Sequence, residues 1–130
     1  NNRTHMIRVP GSGRFELRLM DGATNPYLLQ AGIIAAGIDG IDNNRNPGKP
    51  SFLNMYAEAH KAKNAKKLPK NLETALSHLS KSKVMNKAFS KETINSYVKL
   101  RSLDIKDFKK SKDSKKKGIT DWEKLNTLDC

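Results

Sequence analysis

An α+β fold is what this sequence predicts, and three observations carry the prediction. Apolar and polar residues alternate with period two over Arg14 to Met20, an uncharged Ala/Gly-rich run follows Asn25-Pro26, and apolar residues recur at helical spacing through the second half. Residues two apart on a strand share a face, so Arg14, Glu16 and Arg18 point together while Phe15, Leu17 and Leu19 point the other way, toward a core. Met6 to Val9 reads as a second short strand, and Pro10-Gly11-Ser12-Gly13 as the turn of an antiparallel hairpin.

Past the hairpin, Asn25 is a good N-cap and Pro26 suits the first helical position, where no backbone donor is needed. The helix from Pro26 to about Ile38 is apolar or small all round, which predicts burial on most sides. Its glycines cost up to ~1 kcal/mol each in a helix, which close approach of another element would explain. Asp42 to Pro50 is a loop. Its Asp42, Asn44 and Asn46 mimic a calcium loop, without the glycine or closing glutamate such a site requires. Phe52 to Lys67 is open between a short helix and an extended arm. Asn71 caps a helix with Leu72, Ala75, Leu76 and Leu79 on one face. Ser90 begins another, with Ile94, Tyr97, Val98 and Ile105 at helical spacing. Lys109 to Lys117 reads as a linker or fraying helix end. Thr120 to Glu123 reads as a capping box anchored by Trp122.

Composition fits a single domain or less. At 130 residues the chain is 36% apolar and 6% aromatic, thin for an independent core. A lone Cys at position 130 excludes an internal disulfide and fits a reducing compartment. No apolar run is long enough to span a membrane, and a cytoplasmic location is the default expectation. His5, His60 and His78 have no zinc-ligand spacing. The net charge of +12 arises mostly from lysines after residue 60. Poor aromatic interleaving and the scarcity of arginine there suit a solvated surface better than nucleic-acid binding.

The chemistry concentrates in the first eighteen residues, where Arg3, Arg8, Arg14 and Arg18 accompany one carboxylate, Glu16. Guanidinium forks match carboxylate or phosphate oxygens, and a carboxylate among them can hold a divalent cation that the same anion touches. On spacing alone an exposed Arg/Glu/Arg ladder is the favoured reading. Arg3 and Arg8 have opposite parity, so one regular strand cannot aim both at one site.

The run Asn2-Arg3, Arg8 five residues on, Arg14-x-Glu16-x-Arg18, then Asn25-Pro26-Tyr27 and the Ala/Gly-rich helix to Ile41 resembles the late catalytic segment of glutamine synthetase, in its shorter-looped bacterial form. Leu68-Pro69 with Ala75-Leu76, and Thr120 to Glu123, are weaker echoes of the family's C-terminal helical region. The resemblance implies a specific architecture. Residues 1–41 would be an active-site hairpin with a buried helix behind it, 42–70 a loop and arm, and 71–130 a mainly helical lobe. It implies that the chain is the C-terminal part of a longer catalytic domain, inactive alone, whose parent ligates ammonia to the γ-carboxylate of glutamate using ATP and Mg²⁺ or Mn²⁺. A homo-oligomeric ring is the implied assembly. By the same resemblance Glu16 is a metal ligand, and Arg3 contacts glutamate and the transferred phosphoryl group. Arg8 and Arg14 contact nucleotide phosphate, and Arg18 lies on the glutamate side. A γ-glutamyl ligase acting on a small amine would keep the same residues, and a non-catalytic fragment acting through protein contacts is the alternative of another class.

Overall fold

The structure, a computed structural model, describes residues 4–62 and 65–127. It is α+β, as expected: among the described residues there are a two-stranded antiparallel sheet and six α-helices. Strands β1 (Ile7–Gly11) and β2 (Arg14–Leu17) form the hairpin. The helices are α1 (Pro26–Asp42), α2 (Met55–Glu58), α3 (Leu72–Lys81), α4 (Lys83–Phe89), α5 (Lys91–Lys110) and α6 (Asp121–Asn126). The chain divides into two compact units, residues 1–24 with 47–67 and residues 25–46 with 68–130.

In the first unit the hairpin is shorter than the alternation suggested. β2 stops at Leu17. The face expected to turn inward is largely open, with Phe15 63% and Leu19 37% exposed and Leu17 only half-buried. The ambiguous stretch after Phe52 resolves into α2, capped by the Asn54 side chain on the Tyr56 amide, and one 3₁₀ turn over Ala59–Lys61.

The second unit is helical. Asn25 caps α1 as predicted, its Oδ1 accepting from the Leu28 N–H at 3.0 Å. The expectation of a buried helix fails within this chain, because no residue of α1 is fully buried and Ile34, Ile38 and Ile41 are 61%, 53% and 77% exposed. The reason is local. Among the other helices only α4 packs substantially on it, and a Cβ at Gly32, Gly37 or Gly40 would meet nothing within 4 Å. The best-formed core lies between α3, α4 and α5, where Leu76 and Ile94 are each 5% exposed.

Helix α4 was not anticipated. Ser82 both ends α3 and caps α4, its hydroxyl accepting from the Met85 N–H at 3.3 Å. The lysine-rich segment after α5 is an ordered turn in which Asp113 accepts the Trp122 N–H at 2.9 Å and pairs with Lys116. Trp122 meets Phe108 edge-on at 5.3 Å, and the Thr120/Glu123 capping box forms as its spacing predicts.

Ser90, the N-cap of α5, sits at φ 68°, ψ 151°, a conformation almost confined to glycine. Its hydroxyl accepts from the Thr93 N–H at 3.2 Å. Glycine at an N-cap loses only a few tenths of a kcal/mol relative to serine, less than the strain of about 1 to 3 kcal/mol that it removes. Ser90→Gly is therefore expected to stabilise the α4–α5 junction by about 1 kcal/mol, slowing amide exchange along α5 roughly fivefold. Faster exchange would show that the cap outweighs the strain.

Candidate functional site

The hairpin turn decides which side chains face one another. Ser12 and Gly13 form a two-residue loop, and Gly13 adopts φ +77°, which glycine tolerates without a Cβ clash. Pro10 cannot donate to the ladder, and an irregularity between Arg8 and Gly11 accommodates one extra residue in β1. On one side of it Gly11 opposes Arg14, and on the other Arg8 opposes Glu16 and Ile7 opposes Leu17. The Arg18 N–H donates to the Met6 carbonyl at 2.9 Å and extends the pairing past the strand end.

This register gathers three of the five residues singled out from the sequence. Arg8 Nη1 lies 2.8 Å from Glu16 Oε1, and Arg18 Nη2 lies 2.9 Å from Glu16 Oε2. Both carboxylate oxygens are thus engaged by guanidinium groups. These bonds, Arg18's first and then Arg8's, hold the Glu16 carboxyl below its ordinary value of 4.5 against the opposing effect of desolvation. The group is ionised throughout the neutral range. Arg14 shares the face by parity, sits opposite Gly11, and makes no ion pair among the described residues. Arg3 lies outside the described residues.

Such a row can do two things. Its guanidinium groups can bind phosphate or carboxylate oxygens, and Glu16 can offer a hard oxygen to a cation of the magnesium or manganese type. The donor set fits that cation as one ligand among several, since no group of three or more His, Cys, Asp or Glu residues is placed to hold a metal among the described residues.

Sequence reasoning missed a second polar cluster, at the end of α1. Asp39 accepts from Arg45 Nε at 2.6 Å and from Asn43 Nδ2 at 3.0 Å, and Asn44 turns the chain with φ 47°. The cluster closes the helix end. Its only signal in the sequence was a run of turn formers. No helix among the described residues is long and apolar enough to cross a membrane.

The family described as glutamine synthetase, catalytic domain, matches residues 1–123. Glutamine synthetase of Rhizobium leguminosarum bv. phaseoli is 47% identical over 129 residues, 99% of this chain and 28% of that protein. Glutamine synthetase of Rhizobium meliloti is 45% identical with the same coverage. A glutamate–methylamine ligase of Methyloversatilis universalis is 37% identical over 126 residues, 95% of this chain and 26% of that protein. The chain spans little more than a quarter of the length of these relatives. No solved structure matches it.

Proposed function

Since this chain belongs to the glutamine synthetase catalytic-domain family, we propose that it supplies the arginine and glutamate row of an enzyme that ligates ammonia to the γ-carboxylate of glutamate. The observation that carries the proposal is Glu16 held between Arg8 and Arg18 on one face of a hairpin, with Arg14 in line. A carboxylate is a poor acyl donor because its oxygen is a poor leaving group. Transfer of the ATP γ-phosphoryl group to that oxygen gives γ-glutamyl phosphate with ADP as the leaving group, and ammonia, losing a proton, then displaces inorganic phosphate to give glutamine.

Both steps spread negative charge over oxygens, and fixed guanidinium groups stabilise such charge without reorganising at the moment of reaction. In this scheme Arg8 and Arg14 bind nucleotide phosphate, Arg3 bridges glutamate and the migrating phosphoryl group, and Arg18 orients glutamate. Glu16 contributes one oxygen to a magnesium or manganese site, where a bound ion supplies Lewis-acid neutralisation of the phosphates. The enzyme works in the cytoplasm as a homo-oligomeric ring. The exposed stripe of Tyr27, Ile34, Ile38 and Ile41 along α1 supports a role that needs further chain segments, since an apolar face of this kind expects cover. By itself the chain would have no synthetase activity.

The kinship with a glutamate–methylamine ligase supports a second possibility, the same activation chemistry with a small amine as nucleophile. One experiment separates the two. A full-length chimera is made in which this chain replaces the matching 129-residue segment of the Rhizobium leguminosarum enzyme. With ATP, glutamate and magnesium it should form glutamine from ammonium faster than γ-glutamylmethylamide from methylamine at equal free-amine concentration. Preference for methylamine would select the second possibility, and a folded chimera inactive with either amine would refute both.

A further inference from the structure

The two partners of Glu16 are not equivalent. Arg18 stands two residues away, just past the end of β2, with 24% of its side chain exposed, while Arg8 reaches across from β1 and is 50% exposed. Arg8 engages Oε1 through Nη1, and its other guanidinium nitrogens make no further hydrogen bond among the described residues. An ion pair this open to water contributes little and exchanges readily. A phosphate offers the same fork two parallel bonds and a larger charge, and so competes well for it. Arg14 is the natural comparison, because it adds an equal charge to the same face without touching Glu16.

We infer that Arg8 is a latch: its bond to Oε1 keeps that oxygen of Glu16 from a divalent cation until a polyphosphate draws the guanidinium away, so that one side chain couples anion and cation binding. The inference rests on the metal and phosphate roles proposed above for Glu16 and Arg8, and adds a sign to them. Removing Arg8 unmasks Oε1, so a divalent cation should bind more tightly without nucleotide. By reciprocity, the gain that nucleotide adds to cation binding should shrink.

The test uses the full-length chimera, with Mn²⁺ binding followed by electron paramagnetic resonance of the free ion, with and without ADP. Glu16→Ala identifies the Mn²⁺ site to which Glu16 contributes. At that site Arg8→Gln should tighten nucleotide-free Mn²⁺ binding about threefold to fivefold, the scale of an exposed ion pair. Arg8→Lys should fall between Arg8→Gln and the unsubstituted protein, and Arg14→Gln should change the affinity much less. Addition of ADP should improve Mn²⁺ affinity less in Arg8→Gln than in the unsubstituted protein. Unchanged or weakened Mn²⁺ binding in Arg8→Gln would overturn the latch, as would an equal effect of Arg14→Gln, which would mark simple charge repulsion. A Glu16→Ala protein with unaltered Mn²⁺ binding would overturn it too. A chimera that forms glutamine but lacks the Arg8-specific change keeps the ligase function and loses the latch. One that shows the change but forms no product keeps the latch and loses the ligase function.

Discussion

Glu16→Ala in the full-length chimera is expected to lower glutamine formation by at least two to three orders of magnitude, a loss of about 3 to 4 kcal/mol of transition-state stabilisation. Two consequences of the hairpin geometry add together. The substitution deletes the one carboxylate oxygen donor in the row. It also leaves Arg8 and Arg18, each now bonded to Glu16 at 2.8 and 2.9 Å, without their common counter-charge. Freed guanidinium groups repel one another and bind anions in unproductive poses, so restoring high metal concentration should recover little of the rate. Glu16→Gln is informative beside it, because the amide keeps the shape and one neutral acceptor but cannot neutralise two arginines. Amide exchange across the Arg18 to Met6 bond reports whether the hairpin persists. A folded Glu16→Ala protein with normal turnover and metal affinity would remove Glu16 from the site.

The next largest effect is expected for Arg18→Lys, which keeps the charge and loses the fork. Arg18 is the less exposed of the two partners of Glu16, and a lysine there could satisfy one oxygen with a single donor direction. It could not hold Glu16 and a glutamate carboxylate together in fixed geometry. A loss of roughly 2 to 4 kcal/mol in transition-state binding is the expected scale, seen mainly in kcat/KM for glutamate. Arg3→Lys should behave alike if Arg3 bridges glutamate and the phosphoryl group. Arg45→Lys is the control, since Arg45 pairs with Asp39 at the exposed end of α1 and such pairs contribute about 1 kcal/mol or less. Kinetics for Arg18→Lys and Arg3→Lys indistinguishable from the Arg45→Lys control would leave the arginine row without a catalytic role.

How much of this was legible in the sequence depends on whether the signal was local. Caps are local, and Asn25, Asn71, Ser90 and Thr120 all bond to the amides their spacing assigned them. Parity on a strand is local too, which is why Glu16 and Arg18 were placed on one face. The pairing of Arg8 with Glu16 was not available from parity, because it depends on the irregularity beside Pro10 that resets the register. Helix α4 escaped notice because Ser82 serves two helices at once, and seven residues are too few to show a period. Burial was the least legible property. The composition of α1 and of the Phe15 face announces cover, yet both surfaces stay open, because burial depends on neighbours that these segments do not encode.

Transfer of oxygen tests the central claim most directly. Glutamate labelled with ¹⁸O in its γ-carboxylate is turned over by the full-length chimera with ATP, ammonium and magnesium, and the inorganic phosphate is examined by mass spectrometry. Phosphorylation of that carboxylate places one of its oxygens in the phosphate that ammonia later displaces. Each glutamine formed should therefore release one phosphate carrying one ¹⁸O, and the Glu16→Ala protein should release almost none. Glutamine formed with unlabelled phosphate would contradict the acyl-phosphate chemistry proposed for this row of arginines and its single glutamate.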